Sequence, residues 1–127
     1  MRKLSVFASA VTIAFAGTPA AWAAGDAAKG KRVFNKCKAC HSLKAGKKKI
    51  GPSLFEVVGR KAGTVKGFRY SKALKKSGIT WDEENLSKYL KNPRKFIKGN
   101  RMGFPGLKKD SDRENLITYL KQATKKK

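Results

Sequence analysis

The chain confines both of its cysteines and its only histidine to five residues, Cys37-Lys38-Ala39-Cys40-His41. In a helical turn positions i, i+3 and i+4 lie on one side, so two thiols and an imidazole project together at a single object. A c-type haem is such an object: thiols at this spacing add across its two vinyl groups as thioethers, and the adjacent imidazole reaches the iron. Other chemistries use parts of the motif. A closed structural zinc site needs about four protein ligands, and the chain offers no third cysteine and no second histidine. A redox Cys-x-x-Cys pair leaves the histidine idle and lacks a surrounding βαβ pattern. A purely structural disulfide is compatible with an exported protein.

An iron bound by one histidine has a second axial position, and the chain has two methionines to offer. Met1 belongs to a segment laid out as an export signal: Arg2 and Lys3, then an apolar or small run from Leu4 to Phe15, then Ala21-Trp22-Ala23 with small residues on both sides of a bulky one. Leu4 to Ala24 is uncharged and about as long as the roughly 20 residues that cross a bilayer, but Thr12, Gly17 and Pro19 weaken the alternative of a retained anchor. Cleavage after Ala23 is expected, giving a signal peptide over 1–23 and one exported, periplasmic domain over 24–127. Met102 is then the sole remaining methionine. Its setting, Gly99-Asn100-Arg101-Met102-Gly103-Phe104-Pro105-Gly106, is a glycine-rich loop able to lay a side chain against a flat macrocycle. A thioether is a weaker, softer donor than a second imidazole and raises the potential. Two axial ligands leave no open position for a substrate, which favours an electron carrier over an enzyme such as an oxygenase or peroxidase. The other ring nitrogen of His41 needs an acceptor, for which the Pro52 carbonyl is the candidate.

The rest of the chain reads as short helices joined by long loops. Ala27, Ala28, Val33 and Phe34 fall on loosely helical spacing between Asp26 and Lys36, and Gly30 within that run suggests another backbone close by, since glycine costs a helix about 1 kcal/mol relative to alanine; a tolerated surface glycine is the alternative. Residues 44–67 are irregular and rich in glycine, and loops of that length in a small domain are expected to wrap a ligand. Capping boxes predict helix starts at Thr80-Trp81-Asp82-Glu83 and Ser111-Asp112-Arg113-Glu114, with Pro93 closing the first of these two helices. No strand or internal repeat is evident. The predicted class is all-α. A domain of this size buries only about 60–70% of the surface its unfolded chain exposes, so an additional source of stability is expected.

The residues from Gly30 onward resemble a class I cytochrome c of the mitochondrial type, with the bacterial c2 cytochromes nearest in pattern. The resemblance is carried by Gly30 to Phe34 before the cysteine motif, Gly51-Pro52-Ser53-Leu54, Gly59-Arg60, Gly67-Phe68-Arg69-Tyr70-Ser71, Gly78-Ile79-Thr80-Trp81, Tyr89-Leu90-Lys91-Asn92-Pro93, Met102 and Leu116-Ile117-Thr118-Tyr119-Leu120. It implies the class I cytochrome c fold, helices and long loops wrapped around one covalent haem c. The first and last helices would cross, with Gly30 and Phe34 against Leu116 and Tyr119. Cys37 and Cys40 would carry the haem, with His41 and Met102 on the iron. Arg60, Tyr70 and Trp81 would hydrogen-bond or shield its propionates, Tyr89 would lie near the Met102 sulfur, and Phe104 would cover the haem edge. The chain departs from the family pattern at Leu74, in place of an asparagine, at Lys98, in place of a proline, and at Asn100, in place of a propionate-binding threonine. These departures bear on the potential and on how firmly the Met102 loop is held.

Charge speaks to partners. There are 31 Lys and Arg against 8 Asp and Glu; without Arg2 and Lys3 the basic count is 29 and the formal charge +21. On the family pattern Lys36, Lys47, Lys49, Arg94, Lys95, Arg101, Lys108 and Lys109 would ring the exposed haem edge and steer acidic redox partners into a fast, weak encounter. The resemblance implies a soluble monomer, peripheral to the membrane, that shuttles one electron between membrane-associated complexes of a respiratory or photosynthetic chain: a cytochrome bc-type complex, cytochrome oxidase or a photosynthetic reaction centre. The alternative is a carrier dedicated to a periplasmic dehydrogenase. A basic nucleic-acid-binding protein is the rival from another class; the charge would attract polyphosphate, but no base-reading motif is present and export removes the chain from DNA.

Overall fold

The computed structural model describes residues 24–125 together with Val11, Ile13, Ala14 and Gly17. The expected export signal over 1–23 therefore lies, apart from those four positions, outside the described residues. Five helices form in the order α1 (Ala27–Phe34), α2 (Lys72–Lys76), α3 (Glu83–Lys91), α4 (Pro93–Phe96) and α5 (Asp110–Ala123). Among the described residues the only β pairing is an isolated antiparallel bridge between Lys61 and Thr80. None of their helices is long and apolar enough to cross a membrane.

The scaffold is the crossing of α1 and α5. Asp26 caps α1 by accepting from the Lys29 amide, and the amides just before the helix are satisfied from α5: Gly25 N–H donates to Thr118 Oγ1 at 2.9 Å and Asp26 N–H to Asn115 Oδ1 at 2.7 Å. Gly30 is required there, because a Cβ would overlap the Asn115 carbonyl oxygen and come within 2.7 Å of the Tyr119 Cβ. The Phe34 and Tyr119 rings meet one turn on, with centroids 5.7 Å apart. The predicted crossing and its glycine are therefore present as read.

The core continues through Val57, Trp81, Leu86, Tyr89, Ile97, Leu107, Leu116, Ile117 and Leu120. Trp81 is fixed by a short extended pairing in which Gly59 N–H donates to Trp81 O and Trp81 N–H to Arg60 O, each at 2.8 Å.

Two predicted helix starts are corrected. α3 is capped by Asp82, whose carboxylate accepts from Asn85 N–H at 2.7 Å, and not by Thr80. Thr80 is held extended by the bridge to Lys61, which leaves Asp82 as the last residue free to turn its side chain inward. α5 begins at Asp110 with no side-chain cap, one residue before the predicted Ser111 box. The guanidinium of Arg113 organises that end instead. It is buried, donates to the carbonyls of Leu107 at 2.6 Å and Lys108 at 2.9 Å and to Ser87 Oγ at 3.0 Å, and pairs with Asp110. The short helix α2, capped by the Ser71 hydroxyl, falls between the irregular stretch 44–67 and the helix start predicted at Thr80, where the sequence predicts no element.

Candidate functional site

One cavity of about 670 Å³ opens beside the α1–α5 crossing. Cys37, Cys40, His41, Arg60, Tyr70, Trp81, Tyr89 and Met102 all line it, together with Phe104 and the apolar side chains of Leu54, Val57, Leu74, Leu90, Leu116 and Leu120. Residues 37 and 102 come together although the chain between them includes three of the five helices.

The cysteine motif continues α1 as a helical turn. Cys40 N–H donates to Cys37 O at 3.1 Å and His41 N–H to the same carbonyl at 2.9 Å, which turns positions 37, 40 and 41 to one face, as the spacing predicts. Both thiols are free, and burial pushes Cys37 up to about 11. His41 Nδ1 lies 2.8 Å from Pro52 O. A carbonyl can only accept, so Nδ1 carries the proton and Nε2 keeps the lone pair. Burial holds the imidazole below its ordinary pKa, against the opposing pull of the Pro52 carbonyl. Gly51 makes this possible: a Cβ there would overlap the imidazole Cε1.

Met102 lines the same cavity from an irregular segment after α4. Tyr89 Oη lies 3.9 Å from Met102 Sδ and 3.4 Å from Asn100 Oδ1, and burial pushes this phenol up to about 12, so it stays neutral. Asn100 entered the sequence reading only as a departure from pattern, yet its side chain makes four hydrogen bonds here. An asparagine two residues before the ligand candidate, able to accept from that residue's amide, was the available signal.

The chemistry of the walls fits a haem. The volume falls within the roughly 300–1,000 Å³ of small-molecule and cofactor sites, and the lining is apolar with a few convergent polar groups. Arg60 donates to Phe55 O at 2.7 Å and Ser53 O at 3.0 Å, which leaves three of its five N–H groups unused. Burial pulls this guanidinium below its ordinary value, and no carboxylate among the described residues pairs with it. A desolvated cation in an apolar wall suits a ligand with carboxylates. The Tyr70 hydroxyl, beside it in the lining, accepts from Val65 N–H at 3.2 Å and keeps its own proton to donate.

The eight basic residues predicted for docking are all exposed, but the cavity brings in only two of them, Lys36 and Arg101. Two others are tethered to backbone: Lys49 Nζ donates to Lys38 O at 2.7 Å and Lys108 Nζ to Lys91 O at 3.1 Å. Ile50, next to Lys49 in the chain, is exposed and lines the cavity.

Comparison with known proteins follows the same lines. The family model described as cytochrome c matches residues 27–124. Cytochrome c of Cochliobolus lunatus is 52% identical over 103 residues, covering 80% of this chain and 95% of its own. Cytochrome c2 iso-2 of Magnetospirillum fulvum is 56% identical over 89 residues, covering 70% and 93%. Among solved structures, cytochrome cH from Methylobacterium extorquens superposes with a TM-score of 0.74 at 45% identity, over 77% of this chain and 99% of that one.

Proposed function

This chain belongs to the cytochrome c family and is a monohaem electron carrier, and from that premise we propose how its own residues do the work. Cys37 and Cys40 would bear the haem through thioethers, and His41 Nε2 and Met102 Sδ would hold its iron. The bound haem c supplies a one-electron ferric/ferrous couple. The observation that carries this reading is the convergence of all four side chains on one apolar cavity.

Each protein group has a definable part. The Pro52 carbonyl fixes the His41 tautomer and raises the basicity of the ligating nitrogen. The apolar lining excludes water, which limits solvent rearrangement when the charge of the site changes. The thioether of Met102 favours the ferrous state and raises the potential. Arg60 and Tyr70 receive the propionates. With His41 and Met102 both holding the iron, the chain would carry an electron rather than transform a substrate.

The electron leaves and enters at the rim, which Lys36, Arg101 and the exposed Ile50 line. The partner is a redox protein with an acidic docking face, met in the periplasm after removal of residues 1–23. Net charge of this sign accelerates encounter with such a face and makes the rate fall with salt. Substituting Met102→Ala in the haem-loaded protein abolishes the sulfur-ligand absorption band and lowers the midpoint potential. A Met102→Ala protein with an unchanged spectrum and potential would overturn the assignment of the second ligand.

A further inference from the structure

We infer that Asn100 is the positioning residue for Met102, clamping the backbone of the methionine to α4 and Tyr89 so that its sulfur is held at the cavity. The inference rests on the reading of Met102 as an iron ligand and deepens it.

An asparagine amide has two donors and one oxygen with two lone pairs, and here all are engaged. Asn100 Nδ2 donates to Pro93 O and to Ile97 O, each at 2.7 Å. Its Oδ1 accepts from Met102 N–H at 2.9 Å and lies 3.4 Å from Tyr89 Oη. These partners fix which side-chain atom is nitrogen, since two carbonyls can only accept and a backbone N–H can only donate.

The two halves of the amide do different jobs. α4 is a single turn, Pro93–Phe96, and two carbonyls at it take a second donor: Pro93 O accepts from Ile97 N–H at 3.1 Å, Ile97 O from Asn100 N–H at 3.2 Å, and each also accepts an Asn100 Nδ2 hydrogen. The Nδ2 hydrogens add to these backbone bonds and lock Asn100 to the turn. With the side chain anchored, Oδ1 becomes a fixed acceptor for the amide two residues on, and the Met102 Cα follows. The loop contains Gly99 at φ +88 and Gly103, so its backbone has little stiffness of its own on either side of the ligand. No other side chain among the described residues accepts from the Met102 amide. Tyr89, whose single hydroxyl proton is shared between Asn100 Oδ1 at 3.4 Å and Met102 Sδ at 3.9 Å, closes the arrangement around the methionine.

Release of the sulfur can be read without any electron-transfer assay, by the affinity of the ferric holoprotein for added imidazole, which must displace Met102. Asn100→Ala removes the whole clamp. Asn100→Asp keeps the acceptor for Met102 N–H and removes both donors to α4. Asn92→Ala serves as the control: it takes the cap from the same short helix, where Asn92 Oδ1 accepts from Lys95 N–H at 3.1 Å, without touching Met102. Asn100→Ala and Asn100→Asp are expected to bind imidazole about tenfold more tightly than the parent, the effect of losing one to two net hydrogen bonds that hold the ligand closed. Asn92→Ala stays within twofold of the parent. Hydrogen exchange gives the second readout: in the parent holoprotein the Met102 amide is protected, and in Asn100→Ala the loss of protection is confined to residues 97–103.

If both Asn100 variants bind imidazole within twofold of the parent, or if Asn92→Ala matches them, Asn100 does not position Met102. If Asn100→Ala does not mature, Asn100→Asp and the parent's own exchange decide, and a Met102 amide exchanging as fast as in an unstructured chain overturns the inference. A parent without a sulfur-ligand band removes the ligand reading itself, a different result from a parent whose band survives in every variant.

Discussion

The two proposed iron ligands are held differently: His41 by close backbone approach at Gly51, Met102 by a side chain, Asn100, that reaches over to carbonyls. The motif turn is a continuation of α1, Gly51 packs without a Cβ against the imidazole, and Gly30 does the same for α1 against α5. Residues 97–108 have no helix between α4 and α5; Asn100 and Arg113 tie that segment down through four donors to the carbonyls of Pro93, Ile97, Leu107 and Lys108. Close backbone packing has one arrangement or none, because overlap is steep. A clamp of hydrogen bonds can open at the net cost of about 0.5–1.5 kcal/mol for each bond. The molecule therefore gives His41 a steric hold and Met102 a hydrogen-bonded one that can release, and the weaker proposed iron ligand has the releasable hold.

The difference can be broken most severely at Gly51. Gly51→Ala drives a methyl into the His41 ring and should cost about 3 kcal/mol or more, with loss of the histidine ligation in the holoprotein; denaturant titration together with the visible spectrum checks both. The next largest effect is on the segment that carries Met102. Arg113→Met keeps the length of the side chain but leaves the Leu107 and Lys108 carbonyls without their donor, and a loss of about 2 kcal/mol is expected, with faster hydrogen exchange confined at first to residues 104–110. The smallest effect runs the other way. Glu56, in the loop that follows Gly51, has φ +52, a left-handed conformation that costs a side-chain-bearing residue about 1 kcal/mol or more, so Glu56→Gly should stabilise by roughly 0.5–1 kcal/mol in thermal unfolding without moving the spectrum.

These contrasts also explain which parts were legible in the sequence. Cys37, Cys40 and His41 declare themselves because their chemistry demands particular residue types at a fixed helical spacing, and Met102 because it is the one sulfur left. Gly30 was readable as a close approach since a helix tolerates glycine poorly. The clamp residues were not, for a physical reason: Asn100 and Arg113 act on backbone carbonyls, which every residue has and which leave no mark at the accepting positions. Asn100 stood out only as a departure from the family pattern. Arg113 was hidden among 31 basic residues, nearly all of which read as a solvated surface. The α3 start shows the same limit, because Thr80 and Asp82 can both cap a helix and the choice was made by a long-range bridge between Lys61 and Thr80.

The central claim is that one haem is covalently borne by Cys37 and Cys40 in this cavity, and the intact mass of the protein matured with haem-attachment machinery, taken after denaturation and organic extraction, tests it most directly. The predicted result is a red protein whose mass equals the chain from Ala24 plus a single haem, unchanged by the extraction, and the bare-chain mass for a variant with both cysteines replaced by alanine. A polypeptide of bare-chain mass from the unaltered sequence, colourless once extracted, would contradict it.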